Sequence, residues 1–177
     1  RRLLALMAPG LIGAGVVQIN LVVDVILAST LREGSVSYLY FADRINQLPL
    51  GVVGVAVGVA LLPLLTRQLA DGDEAAASDS QNRAIEFALI LTLPAAAALV
   101  TIAGPIVSVL FERGAFDAAA AANTAAALAA FAVGLPAYVL IKALTPGFFA
   151  RQDTATPVKV AVFAMVLNVV LAVTLMQ

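Results

Sequence analysis

The stretch YLYFADRINQLP, residues 38–49, decides how the chain is read, because it sets an acid, a base and two amides inside an otherwise apolar run. On an ideal helix at about 100° per residue, Tyr40, Asp43, Arg44 and Gln47 fall within roughly a 100° arc. Gly51, Gly54 and Gly58 continue the same arc, so one face is polar at one end and bare at the other. An ionisable pair at membrane depth is costly unless it faces protein or water, and by default it marks a pathway or a binding site. The plainer alternative is a neutralised pair that only fixes packing. Whether Arg44 meets a hydrated cavity or is sealed between helices separates the two.

Working outward, composition assigns the class. With 62% hydrophobic and 12% charged residues and a mean hydropathy of +1.02, the chain lies far from soluble domains and reads as an all-α integral membrane protein. It has no Cys and no His, so a disulfide framework, thiolate chemistry, and the commonest metal ligand and general base are all missing. An intramembrane enzyme could draw on Asp24, Asp43 and Lys142. No Ser–Lys pair stands at a recognisable spacing, however, so the reading is of a non-enzyme that needs no cofactor or metal. No basic tract points to nucleic acid. The chain opens on Arg1 without an initiator Met and ends in an apolar run at Gln177, and is expected to be a segment of a longer protein.

Five spans are predicted, at residues 3–28, 36–69, 84–111, 118–149 and 158–177, each long enough for a hydrocarbon core of about 30 Å. In the first, Asn20 and Asp24 share a face with Gly13. Asp24 is readable as a protonated structural acid, a partner for a base elsewhere, or a ligand for a coupling cation. In the second, Pro49 and Pro63 each remove a backbone donor and are expected to bend the helix. Gly54 and Gly58 form a GxxxG that suits close helix packing, or alternatively leaves a cavity wall open beside Arg44. Residues 67–83 are the most polar and are expected to form a solvated loop with a short amphipathic turn. Pro94 and Pro105 interrupt the third span. Lys142 in the fourth shares a face with Phe131, Tyr138 and Thr145, and either snorkels to the interface or faces inward. Asn168 interrupts a small-residue stripe in the fifth.

Five spans put alternate connections on opposite sides. Arg1, Arg2, Arg67, Arg83, Arg151 and Lys159 lie on the side of the N-terminus, against Arg32 and Arg113 on the other, so the N-terminus is expected in the cytoplasm. Arg44 and Asp43 then belong to the outward half of the second span and Lys142 to the inward half of the fourth.

Three stretches also carry a resemblance: YLYFADRINQLPLGVVGVAVGVALLP, VLFERGAF and VLIKALTPGFFARQDTATPVKVA. They resemble the corresponding parts of the MurJ (MviN) family, lipid II flippases of the multidrug/oligosaccharidyl-lipid/polysaccharide exporter superfamily. The resemblance extends over essentially the whole chain, and PGFFARQDTATPVK is its most specific part. It implies helices seven to eleven of about fourteen, at the start of the C-terminal lobe of a two-lobe alternating-access transporter. The implied substrate is the undecaprenyl-pyrophosphate-linked peptidoglycan precursor, lipid II, moved outward across the bacterial inner membrane during cell-wall synthesis. Membrane lipids and the N-terminal lobe, which supplies most of the cavity's cations, are the other implied partners, so this segment is not expected to transport alone. A drug or polysaccharide-lipid exporter of the same superfamily, or a structural membrane module, is the alternative.

By the same resemblance Arg44 of the ADR motif is a cavity residue, with Asp43 its neighbour. Gln47 stands where some members have Glu and is carried over as a cavity-lining amide. The resemblance further implies coupling to sodium or protons and membrane potential, with Asp24 and Asn168 at polar positions of a sodium site. Ala172 occupies the place, one turn beyond Asn168, where an acid would complete it. A planar guanidinium matches phosphate oxygens. Arg44 would therefore anchor the pyrophosphate, Asp43 would hold the Arg44 side chain, and Lys142 would add a softer point charge nearer the cytoplasm.

Overall fold

A computed structural model describes Gly15 and residues 18–175. The described residues are helical apart from short turns, with no strand and one isolated bridge between Arg113 and Phe116. The helices are α1 (Gln18–Ser29), α2 (Ser35–Pro49), a π-helical segment (Leu50–Val55), α3 (Ala56–Ala70), α4 (Glu74–Thr101), α5 (Ala103–Phe111), α6 (Ala118–Ala150) and α7 (Ala155–Leu175). Among the described residues, four helical runs are long and apolar enough to cross a membrane: Ser35–Ala70, Glu74–Thr101, Ala118–Ala150 and Ala155–Thr174. Of the predicted first span, the part from Gln18 forms α1, and its residues before 18, Gly15 excepted, lie outside the described ones.

The chain forms two compact units, Gly34–Ala150 and the residues flanking it on both sides. In the flanking unit α1 buries only Ala28, and α7 buries no residue over 155–174. In the central unit α6 is the hub, packing against α2, the π segment, α3, α4 and α5. Its buried residues Ala121, Ala125, Leu128, Ala132, Leu135, Val139 and Ala143 recur in steps of three and four, which keeps them on one stripe. Lipid offers no hydrophobic drive between helices, so association rests on close packing, and this stripe mixes Ala with Leu and Val, small residues that let neighbours approach and larger ones that fill between them.

Prolines and caps set the boundaries. Pro49 has no N–H to offer the Ile45 carbonyl, and beyond it the backbone opens into the wider π pairing over Leu50–Val55. Pro105 cannot bond to the carbonyl of Thr101, and the predicted third span breaks at Ile102 into α4 and α5. Pro63, Pro94, Pro136 and Pro146 are instead carried inside continuous α-helices. The polar stretch 67–83, expected as a solvated loop, is mostly helix. α3 runs on to Ala70, and Asp73 then starts α4 by accepting the Ala76 N–H at 2.9 Å. The Ala-rich EAAASDSQ has the propensity to continue from that cap, so only a three-residue turn remains. Gln68 Nε2 donates to Ser80 Oγ at 2.9 Å across it.

Candidate functional site

The polar face predicted for residues 38–49 exists, and one helix builds it. Tyr40, Arg44 and Gln47 all lie exposed on α2. Arg44 Nη2 donates to Tyr40 Oη at 2.9 Å, Arg44 Nη1 donates to Gln47 Oε1 at 3.3 Å, and the guanidinium carbon lies 4.7 Å from the Tyr40 ring centroid. Gln47 Nε2 donates in turn to Asp43 Oδ2. These spacings, four residues back and three forward, are those at which helix side chains meet. The order differs from expectation in one respect: Asp43 reaches Arg44 through Gln47. An amide can do this because its oxygen accepts from the cation while its nitrogen donates to the carboxylate. Two of the five guanidinium N–H groups are used along the helix, which leaves three for an anion.

The opposite side of α2 is fixed by packing. Ala42, Ile45 and Asn46 are buried there. Phe41, one residue from Tyr40, meets Phe111 at 4.9 Å and Phe116 at 5.4 Å between ring centroids, the latter edge-on. Both partners flank the tight turn in VLFERGAF, where Gly114 adopts φ 61°. Arg113 Nη2 donates to the Val109 and Leu110 carbonyls, satisfying two acceptors at the end of α5. That motif is thus a cap and an aromatic clamp on the helix carrying Arg44. At the start of α2, Gly34 has φ 90°, and a Cβ there would lie 2.6 Å from Tyr38 Oη, so the ring position excludes a side chain.

Lys142 lies elsewhere. Its Cγ is 3.2 Å from where a Cβ on Gly54 would be, and its carbonyl oxygen is 3.4 Å from the corresponding point on Gly58. The GxxxG is therefore the seam at which α6 approaches the second span, as the close-packing reading expected. Ten residues separate Gly54 from Arg44, so Lys142 meets the second span nearly three turns along it from Arg44.

In the flanking unit Asp24 Oδ2 accepts from Asn20 Nδ2 at 3.0 Å, while Asn20 Oδ1 is buried without a hydrogen-bond partner among the described residues. Asn168 is exposed on α7. No group of three or more His, Cys, Asp or Glu suited to a metal ion occurs among the described residues. The PGFFARQD motif proves to be a junction. α6 ends at Ala150, Gln152 takes φ 60°, and Asp153 accepts the N–H groups of Ala155 at 3.1 Å and Thr156 at 3.0 Å to start α7. Bonds from Thr156 foremost, then Ala155 and the charge of Lys159, hold the Asp153 carboxyl below its usual range. Gly147 passes Gln81 so closely that a Cβ would lie 2.5 Å from Gln81 Nε2.

Sequence reasoning missed three parts: the Tyr40 hydroxyl as the acceptor for Arg44, the bridging role of Gln47, and the burial of Asn46. The first two were implicit in the spacing around Arg44. The third was implicit as well, because at about 100° per residue Asn46 falls outside the arc of Tyr40, Asp43, Arg44 and Gln47 and on the side of Ala42 and Ile45.

A multi-span helical chain that presents a cation on an open helix face, braced along its own helix, falls in the class of polytopic membrane proteins with an ionisable group set to face protein or water. The whole chain, residues 1–177, matches the family described as "Lipid II flippase MurJ". It is 53% identical over 175 residues to a probable lipid II flippase MurJ of Rhizobium meliloti (strain 1021), covering 99% of this chain and 32% of that protein. To the Burkholderia cenocepacia protein named lipid II flippase MurJ it is 38% identical, over 95% of this chain and 33% of that one. A solved structure titled "Lipid II flippase MurJ, inward closed conformation" superposes with a TM-score of 0.80 at 30% identity, covering 89% of this chain and 33% of that one. The chain belongs to the MurJ family and spans about a third of the length of these relatives.

Proposed function

We propose that the chain forms part of a lipid II flippase and that α2 supplies an anion seat for the pyrophosphate of the passing precursor. The observation that carries this reading is the braced and exposed Arg44. This guanidinium is held by Tyr40 and Gln47 of its own helix with donors to spare, the arrangement of an anion ligand. A pyrophosphate in a low-dielectric passage needs such a group, because charge-assisted bidentate bonds replace part of its lost hydration. Asp43, acting through Gln47, limits the net positive charge so that the anion is released again. Lys142, at another level, offers a second, softer cation on the path.

The charge asymmetry of the connections supports a cytoplasmic N-terminus in the bacterial inner membrane, with Arg44 in the outward half of its span. The rest of the relatives' length would provide the remaining cavity cations. Asp24 and Asn20 support coupling to a cation: a carboxylate lies beside a buried amide oxygen that lacks a donor, and a small ion would satisfy both. The test is to substitute the full-length gene for the resident flippase in a depletion strain and follow lipid II exposure on the outer face. Restored exposure and growth are expected. Growth arrest with normal membrane levels of the protein would refute the reading.

A further inference from the structure

We infer that Tyr40 is a second anion ligand of the site, its phenolic O–H donating to the same pyrophosphate that Arg44 grips; the inference rests on the proposed function above. The Tyr40 oxygen already accepts from Arg44 Nη2 at 2.9 Å. A phenol has one proton, and an oxygen that accepts from a cation points that proton elsewhere. Tyr40 is 54% exposed, on the same open face as Arg44 and Gln47, so the free O–H looks out beside the remaining guanidinium donors. The ring lies against the guanidinium, with the carbon 4.7 Å from its centroid, which sets the two donors side by side. The Arg44 contact also polarises the hydroxyl and makes it a better donor to an anion.

The two donors sit 2.9 Å apart, so neighbouring oxygens of one phosphate group can meet both. Tyr40 thereby adds a second donor to the seat for the anionic head.

The test uses full-length protein in lipid nanodiscs and measures binding of lipid II for wild type, Tyr40→Phe, Arg44→Lys and the double variant. Arg44→Ala is the control for the parent reading. Tyr40→Phe keeps the ring under Arg44 and removes only the hydroxyl, so folding is preserved. Loss of one hydrogen bond to a charged partner predicts about tenfold weaker binding or more. In the Arg44→Lys background, where the guanidinium contact is gone, Tyr40→Phe should still weaken binding by at least about threefold, because the hydroxyl touches the anion itself. If Tyr40→Phe changes affinity less than about threefold while Arg44→Ala abolishes binding, the inference falls and the seat on Arg44 stands. If Tyr40→Phe weakens binding only when Arg44 is present, Tyr40 merely holds Arg44 and the inference also falls. If Arg44→Ala leaves binding intact, the parent reading fails first.

Discussion

Substitutions at Gly58 measure how close the α3 and α6 backbones come. A Cβ built at Gly58 has one neighbour within 4 Å, the Lys142 carbonyl oxygen at 3.4 Å, which is ordinary contact distance. Gly58→Ala therefore fits without displacing anything. Glycine inside a helix costs roughly 0.5–1 kcal/mol relative to alanine, so this variant should be stabilised by up to about that amount. Gly58→Leu adds three carbons beyond the Cβ against a backbone atom, which cannot rotate away as a side chain can. α6 is also the hub of the central unit and cannot yield locally. Overpacking of this kind costs about 1–3 kcal/mol, giving a swing of about 1.5–4 kcal/mol between the two variants. Unfolding free energies of the purified full-length protein in detergent, followed by helical circular dichroism, give both values. Equal stability for Ala and Leu would refute a tight seam at Gly58, and a loss above about 1 kcal/mol for Ala would refute the room for a Cβ there.

Three other outcomes follow from particular residues. Gln152 holds φ 60°, which costs a non-glycine residue about 1–2 kcal/mol, so Gln152→Gly should raise stability and Gln152→Val should lower it in the same unfolding assay. Asp153 has its carboxyl held below the usual value in the folded protein by Thr156, Ala155 and Lys159, so its contribution is complete above the unfolded value of about 3.9. That contribution is lost as pH falls through the lower folded value, and Asp153→Asn, which keeps a capping oxygen, should remove this acid dependence when unfolding is compared at pH 5 and pH 2.5. Asp24→Asn should abolish the dependence of lipid II flipping on sodium or on membrane potential; transport that keeps both dependences would discard the cation role.

The polar face of α2 was legible because i, i+4 and i+7 spacing holds on any helix, and Arg44, Asp43 and Gln47 did come together. The seam at Gly54 and Gly58 was legible for the same reason, but its partner, Lys142, is a tertiary fact that periodicity does not contain. Pro49, Pro63, Pro94 and Pro105 look alike in sequence. Only tertiary context separated the two at which α pairing is interrupted from the two that it runs through: a π segment follows Pro49, the chain breaks at Ile102 before Pro105, and α3 and α4 continue past Pro63 and Pro94. The polar run 67–83 was expected as a loop because hydropathy was weighed above propensity. Beyond the membrane the Asp73 cap and the alanines decide, and they favour helix. The clamp of Phe41 by Phe111 and Phe116 joins residues seventy or more apart in sequence, which no local rule could pair.

The account turns on Arg44 as an exposed anion ligand. The most direct measurement sets membrane protein level beside lipid II flipping for Arg44→Lys, Arg44→Ala and the double variant Asp43→Ala/Arg44→Ala in the full-length protein. An anchor predicts normal levels throughout, partial flipping with Lys, which keeps charge but loses the fork, and none with either Ala variant. A buried packing pair predicts another pattern. Removing one partner would then cost roughly 3–5 kcal/mol, and removing both would restore much of it. Reduced protein for Arg44→Ala, with both level and flipping recovered in the double variant, would contradict the account.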